Sequence, residues 1–474
     1  MTTSRLSGFY RMSVDQRIDS LISNGFLAED DANALREGAP LLPTRLADQM
    51  IENVVGVFGL PFAIAPNFIV NGRDYLVPMV VEEPSVVSGL SSAAKMIRDS
   101  GGFSVTSTAP ILIGQVQIRD VRDADNAMQL LQTSRDEILE IANNLQPRLK
   151  KRGGGARDFE LFKYRQPDKK WMVIMHLLVD TRDAMGANIV NSMCEGIAPY
   201  IEKVCGGKVL LRILSNLVDK SLVSATVNIK LAVLEVDEYS SEMIRDSIVL
   251  ANDFANIDPY RAATHNKGIM NGIDAVAVAT GNDWRAIEAG IHAFAAKDGV
   301  YHSLTRWSVA ENGDLVGELT IPLKVGIVGG SLSTNPGARV GLKVTGVESA
   351  VELAELMAAA GLAQNFAALR ALVSTGIQKG HMDLHARSVA ATANVSPQDF
   401  DKVVEKLIQS GDIKSWKAQE IAAGILTQRR EKHVTAAMGK GHGKVILFGE
   451  HAAVYDRQVL ALPVPDAVTV QIIK

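Results

Sequence analysis

Two apolar runs of strand length, Leu112–Ile118 and Trp171–Val179, constrain this chain most. A helical stretch, Asn126–Asn144, lies between them, and an apolar-periodic helix follows the second run and stops at Gly206-Gly207. Such elements bury their apolar faces only as a sheet with helices packed on it, so residues 111–219 read as a small α/β domain inserted in a larger chain. A basic, glycine-rich loop is expected over Arg148–Gly155. After the second strand, Asp183-Ala184-Met185-Gly186-Ala187-Asn188 leads into the last helix. Gly186 permits close backbone approach there, and helix N-termini attract phosphates. No GxGxxG follows a strand, which disfavours a Rossmann dinucleotide fold.

The flanks carry their own marks. Ser13 and Gln16 form a capping-box pair, Val14, Ile18, Leu21 and Ile22 make one apolar face, and Gly25 ends that helix. A second short helix is expected over Asp31–Glu37. Asn71-Gly72-Arg73-Asp74 reads as the turn of a hairpin between Phe68–Val70 and Tyr75–Val81. Residues 340–376 are helical by period, and 396–411 form a helix with Ser396 as N-cap, Pro397 at its first position and Gly411 beyond its end. A charged helix runs on to Lys432; Gly439–Gly443 reads as a flexible joint and Val445–Phe448 as a short strand.

A chain of 474 residues is long enough for about three domains. Lys plus Arg (49) against Asp plus Glu (53) leaves a net charge of −4, so no nucleic acid is expected as partner. The N-terminus lacks the apolar core of a signal peptide. Trp171–Val179, broken by His176, falls short of the ~20 residues that cross a bilayer, so no membrane is expected. The two cysteines, Cys194 and Cys205, are too few for a disulfide framework and point to the cytoplasm.

Several places offer chemistry. Glu82-Glu83 ends an apolar strand ahead of Pro84-Ser85, either presenting a catalytic carboxylate or forming a solvated acidic turn. Thr264–Gly272 packs polar groups between glycines, either an ammonium and amides around one oxyanion or a surface loop. Gly281-Asn282-Asp283 can bring a carboxylate to Lys267, or be an ordinary turn. His381 and His385 share a helical face at i, i+4. With no HExxH and no third ligand, a general acid or a histidine satisfied in the fold is expected there, and no metal.

Together ENVVG (Glu52–Gly56), VVEEPSVV (Val80–Val87), DAMGAN (Asp183–Asn188), RAATHNKGIMNGID (Arg261–Asp274), ATGNDWRA (Ala279–Ala286) and GIQKGHMDLHAR (Gly376–Arg387) resemble the class II, soluble bacterial form of 3-hydroxy-3-methylglutaryl-CoA (HMG-CoA) reductase, over residues 5–430. The resemblance implies an α+β fold: a large α/β catalytic domain in two parts (1–110 and 220–375), an inserted ferredoxin-like dinucleotide-binding domain (111–219), and a helical C-terminal flap (376–432) carrying His381. It implies two hydride transfers that reduce the thioester to mevalonate and free coenzyme A, through mevaldyl-CoA and mevaldehyde. Lys267 matches the cation at the carbonyl oxygen, and Glu83 the acid that supplies a proton. Asp283 matches the carboxylate that links these two by hydrogen bonds, and His381 the acid that protonates the departing thiolate. Ser85, Arg261 and Asn271, with Asn216 and Gln364, match substrate-holding positions. Asp183, Met185, Gly186, Ala187 and Asn188 would hold the dinucleotide. Active sites shared between the subunits of a homodimer, itself assembled into a hexamer, are implied too.

Two features add to this. NAD-specific members carry an acid where Gln146 aligns, and Arg148, Lys150, Lys151 and Arg152 follow it. That favours NADPH, with NADH also usable, because an acid there would repel a 2′-phosphate. Further on, Gly443–Pro465 resembles the opening of mevalonate kinase, of the GHMP kinase family, with Lys444, Glu450 and His451 in its first motif. Residues 439–474 would then be a fragment without the phosphate loop and without kinase activity. The alternatives are the same site working mainly in the mevalonate-oxidising direction, or a silent scaffold that binds CoA thioesters.

Overall fold

The computed structural model describes residues 3–36, 41–236, 239–332, 334–374, 386–391, 393, 395–433, 436–448 and 460–473. Asn71 and Gly72 both take positive φ, 51° and 80°, as a tight hairpin turn with right-handed twist requires. The turn joins β1 (Phe62–Val70) to β2 (Arg73–Val80), with Val70 opposite Arg73 and a bulge between Ala65 and Phe68. The Asn71 carboxamide donates to the Val105 carbonyl and accepts from the Val105 N–H, both at 2.9 Å, and so ties the hairpin to β3 (Phe103–Ser107).

Between β3 and its antiparallel neighbour in the same sheet the chain makes a second sheet. Its strands are β4 (Ile111–Val121), β5 (Gly155–Arg165), β6 (Trp171–Asp180) and β7 (Lys208–Ser215), all antiparallel in the spatial order β5-β6-β4-β7. With helices Ala124–Thr133, Arg135–Asn144 and Ala187–Cys205 packed on it, this is the ferredoxin-like arrangement. Its core is its own: Val116, Ile118, Leu131, Ile138, Met175, Leu177, Met193 and Ile197 are fully buried. Both cysteines are free, and Cys194 lies in this core.

The chain re-enters the first sheet through β8 (Leu222–Ile229), followed by β9 (Thr305–Val309) and β10 (Leu315–Pro322), completing the order β2-β1-β3-β8-β10-β9. At the neck Thr108 N–H donates to the Leu222 carbonyl (2.9 Å), and Leu222 N–H donates to Thr108 Oγ1 (2.8 Å). Val223, Ala225, Val227 and Ile229 alternate inward along β8, the period of a strand with one face in the core.

Five helices share that core: Val86–Asp99, Ser241–Ile257, Pro259–Ala279, Trp284–Ala295 and Ala350–Val373. The last is 24 residues long and apolar enough to span a bilayer by length and composition, which the apolar runs of the sequence do not anticipate. Two-thirds (67%) of its most apolar stretch is packed inside the protein, as befits a helix hydrophobic on all sides at the centre of a large core. Ile18 and Leu21 of the helix Val14–Ser23 pack with Ile64, Leu76, Val340 and Val344, and the Ser13–Gln16 capping box forms.

Residues 378–474 make a separate unit. Its helices Phe400–Ser410 and Ser415–His433 share a small core of Val403, Val404, Leu407 and Ala418. The strands β11 (Ala436–Phe448) and β12 (Leu460–Ile473) pair antiparallel.

Several expectations are corrected. The second helix is Glu29–Arg36, and the stretch 126–144 is two helices divided at Ser134. Arg148–Lys151 belong to a short helix, Pro147–Lys151, and Gly155 opens the unforeseen strand β5. The later helix starts at Phe400: Ser396 hydrogen-bonds the Asp399 carboxylate (2.8 Å) inside a turn instead of capping it. Gly439–Gly443 are part of β11, not a joint.

Candidate active site

The polar segment Thr264–Gly272 is not a loop; it is the middle of the helix Pro259–Ala279. Asp258 caps that helix by accepting from the N–H groups of Tyr260 (2.8 Å) and Arg261 (3.3 Å). At 100° per residue its side chains divide into faces. Lys267, Asn271 and Asp274 share one, while Arg261, His265, Gly268 and Gly272 share another.

The second face is locked. His265 Nε2 bonds Thr305 Oγ1 (2.6 Å) and Asn365 Nδ2 (3.0 Å), and Trp307 Nε1 donates to Asn365 Oδ1 (2.8 Å). Burial, with Arg261 nearby, pulls His265 down to about 3, so it stays neutral as a structural residue. Gly272 meets the buried helix so closely that a Cβ would lie 2.8 Å from the Ala360 carbonyl oxygen and 3.0 Å from Gln364 Cβ. These contacts fix the roll of the helix and aim Lys267 the other way.

Lys267 Nζ donates to Glu83 Oε2 at 2.5 Å, both side chains partly open to solvent. Glu83 lies in the short turn between β2 and the helix Val86–Asp99, whose N-cap is Ser85. Ser85 holds the left-handed conformation (φ 73°), uncommon for a residue with a Cβ. Its buried Oγ has no hydrogen-bond partner among the described residues, and no acidic side chain stands in the first helical turn. Strain and an orphaned polar atom together mark a ligand position. One turn on, a Cβ on Gly89 would lie 3.8 Å from Gln364 Nε2; Gln364 Oε1 is also buried without a partner. Glu83 and Lys267 therefore meet beside Ser85, and Gln364 reaches the Ser85 helix one turn further on.

Arg261 does not join them on the Lys267 face. It sits in the first helical turn with no hydrogen bond or ion pair to its guanidinium among the described residues, and burial lowers its pKa. Asp283 departs from expectation as well. It caps the helix Trp284–Ala295 by accepting from Ala286 N–H (3.1 Å) and stands 3.6 Å from Arg285, rather than bridging Lys267 and Glu83. The lysine helix is tied to that helix by Asp274 and Glu288. Burial and Glu288 push the Asp274 carboxyl up, while the His292 contact holds Glu288 down, so Asp274 carries their shared proton.

In the ferredoxin-like lobe the helix Ala187–Cys205 begins at Gly186 (φ 91°) with no side-chain cap and no acid in its first turn. Its leading N–H groups are free to receive an anion. Beside the turn, Arg182 Nη2 donates to the Gly153 carbonyl (2.5 Å), which brings the segment 148–153 alongside. Gln146 is the N-cap of the short basic helix. Arg148, Lys150, Lys151 and Arg152 are exposed and have no ion-pair partner among the described residues. An uncapped helix start and four unpaired cations can each receive phosphate groups. Asp183 is engaged differently: its Oδ1 accepts from Ala350 N–H (3.0 Å) at the start of the buried helix. Met185 and Asn216 line one crevice with Ala286, Gly290 and Lys324.

His381 and His385 lie outside the described residues, as do Glu450 and His451. No three His, Cys, Asp or Glu side chains converge as a metal site among the described residues. Sequence reading missed Asn282 and Lys324, which join the Asp283 turn and the Asp183–Asn188 turn to one segment after β10. Asn282 sits inside a quoted motif, but Lys324 follows an ordinary apolar strand and carries no local signal.

The family model for hydroxymethylglutaryl-coenzyme A reductase matches residues 13–386. A 3-hydroxy-3-methylglutaryl-coenzyme A reductase of Archaeoglobus fulgidus is 48% identical over 420 residues, 88% of this chain and 94% of that protein. A probable enzyme of the same name from Borreliella burgdorferi is 36% identical over 75% of this chain and 81% of its own length. The solved 3-hydroxy-3-methylglutaryl-coenzyme A reductase of Streptococcus pneumoniae is similar, with TM-score 0.76 and 42% identity, covering 88% of this chain and 99% of that one. A class II structure from the same organism, bound to NADPH in open conformations, has TM-score 0.75 and 43% identity over 78% of this chain and 99% of its own.

Proposed function

The chain belongs to the hydroxymethylglutaryl-coenzyme A reductase family and is an oxidoreductase of the mevalonate pathway, and from that premise we propose how its own residues carry the reaction. Neither the silent scaffold nor the mainly oxidative enzyme is favoured by these likenesses. The observation that carries the reading is the Lys267–Glu83 pair beside the strained, unpartnered Ser85.

The bound nicotinamide cofactor supplies hydride. Lys267 holds a positive charge where the thioester oxygen becomes an oxyanion, and fixed charge at that point is worth several kcal/mol. Glu83, hydrogen-bonded to the ammonium, passes a proton to the reduced oxygen. Asp283 orders the turn beside them, and His381, on the flap 376–432, protonates the departing thiolate. Ser85 and Asn271, with Asn216 and Gln364, hold the substrate's hydroxyl and carbonyl groups, and Arg261 its carboxylate. The domain limits remain those of the sequence reading, with 111–219 as the dinucleotide-binding part.

Ser85→Gly separates binding from stability. Relief of the left-handed strain is expected to stabilise the fold by about 1 kcal/mol, while loss of the hydroxyl raises KM for HMG-CoA about tenfold. Thermal unfolding and initial rates together check both signs.

We propose NADPH as the preferred cofactor. Its dinucleotide lies over Met185–Asn188, and its 2′-phosphate meets the cations at 148, 150, 151 and 152 with neutral Gln146 beside them. Replacing those four cations by Gln is expected to lower kcat/KM with NADPH at least tenfold and leave that with NADH within about twofold. NADH and NADPH oxidation at 340 nm with HMG-CoA tests this, and equal losses for both cofactors would overturn it. We further propose a cytoplasmic homodimer with shared sites, assembled into hexamers. The exposed apolar residues Ile51, Val55 and Phe58, and Leu250, Phe254, Ile257 and Tyr260, support an interface. For residues 443–465 we propose a likeness to the opening segment of mevalonate kinase.

A further inference from the structure

Lys324, two residues past the end of β10, is only 8% exposed, yet its ammonium hydrogen-bonds no carboxylate among the described residues. Its Nζ donates instead to three carbonyls: Arg182 (3.1 Å), Ala184 (2.7 Å) and Val325 (2.9 Å). A buried charge needs such satisfaction, and two of its acceptors belong to the turn that leads into Gly186. Fixing the carbonyls of 182 and 184 fixes the peptide planes just ahead of the N–H groups at the helix start.

The residues after Lys324 continue the contact. Ile327 N–H donates to the Asp183 carbonyl (2.9 Å), and Ala184 bridges to Val328 as parallel strand. Gly326 lies so close that a Cβ would sit 2.5 Å from the Met185 nitrogen and 3.1 Å from the Ala184 carbonyl carbon. On its other side Gly326 exchanges two hydrogen bonds with the Asn282 carboxamide: its N–H donates to Oδ1 (2.8 Å), and its carbonyl accepts from Nδ2 (3.1 Å). Asn282 immediately precedes Asp283, the cap of the helix Trp284–Ala295.

We propose that Lys324–Val328 is a strap that holds the dinucleotide turn in register with the Asp283 turn, and that Lys324 and Asn282 are positioning residues for cofactor binding. The inference rests on the reading that the dinucleotide lies over Met185–Asn188. Lys324 touches backbone only, so it acts through the turn. Burial lowers its pKa to about 8, against the two carboxylates that face it, Asp180 and Asp183. As pH rises through that value the amine's lone pair turns toward a carbonyl, and one of the three bonds is lost.

The test is a titration of the full-length protein with NADPH, followed by tryptophan fluorescence, together with steady-state kinetics. Lys324→Met keeps the length and removes the donors. Its Kd for NADPH is expected to rise about tenfold at pH 7, with KM for HMG-CoA within about twofold. In the native protein the Kd rises between pH 7 and pH 9; in Lys324→Met it stays flat. Gly326→Ala, which pushes Met185 away without touching the ammonium, is expected to weaken NADPH in the same way. A folded Lys324→Met with unchanged NADPH affinity overturns the strap, and if that variant does not fold, Gly326→Ala decides on the same criterion. Gly186→Ala separates the two layers of inference. Intact NADPH affinity there overturns the placement of the cofactor and the strap with it. Loss there but not in Lys324→Met overturns the strap alone.

Discussion

Lys267→Ala is expected to lower kcat on the order of 10³-fold with the fold intact, because it removes the cation from the developing oxyanion without removing any core contact. The side chain is more than half exposed (57%), so unfolding free energy should move by no more than about 0.5 kcal/mol. Substrate binding should change less than turnover, since charge on the oxygen is fullest in the transition state. Single-turnover NADPH oxidation with the variant measures this directly. A rate within tenfold of the native enzyme would show that another group carries the charge, and the Glu83 assignment would fall with it.

Gly272→Val is expected to be the most damaging substitution on the same helix for stability. Helix propensity alone argues for replacing a mid-helix glycine, by up to about 1 kcal/mol. Packing argues the other way and wins. The first added carbon would stand 2.8 Å from the Ala360 carbonyl oxygen, a backbone atom inside a helix buried on every side, where neither partner can rotate away. Overpacking of this kind removes about 3 kcal/mol, a large share of the 5–15 kcal/mol that holds a domain folded. Thermal unfolding should show a lowered midpoint, and the two helices should also part enough to move Gln364 and Asn271, raising KM for HMG-CoA. A midpoint within a degree of the native protein would mean that this interface has slack the contacts do not reveal.

The sequence marked the elements whose shape depends on local chemistry. Asn71-Gly72 dictated a hairpin because only such residues take two consecutive positive φ values, and Ser13 with Gln16 announced a helix start through bonds within one turn. The inserted lobe was legible from two apolar runs separated by a helix. What failed was governed by distant partners. Thr264–Gly272 looked like a loop because its glycines and amides are turn formers by propensity; in the fold the glycines admit a neighbouring helix, and the Asn266 amide bonds the His302 carbonyl and the Leu304 N–H ahead of β9. Strand β5 begins with Gly155 and carries Arg157, Asp158, Glu160 and Lys163, charges its exposed edge tolerates but alternation rules do not reward. Within the site, motifs identified Glu83, Ser85 and Lys267, which lie together, but could not reveal that Asp183 is engaged by Ala350 or that Lys324 holds the carbonyls of Arg182 and Ala184. Those facts depend on contacts more than a hundred residues apart in sequence.

The place where the lobe interrupts the first sheet bears on how the protein is made. β3 meets β1 through a single bridge, Val70 to Phe103, and finds its main partner only in β8. Roughly 115 residues of intervening chain must leave the ribosome first, on the order of 10 s at ordinary elongation speeds. Throughout that interval the Phe103–Ser107 edge has unpaired backbone groups on a half-made sheet, the geometry that recruits other chains. The lobe, with its own core and its two ends held together at Thr108 and Leu222, can fold within that wait and bring β8 to β3 already in register. Synthesis rate and temperature, rather than equilibrium stability alone, should therefore set how much of this chain reaches the native state.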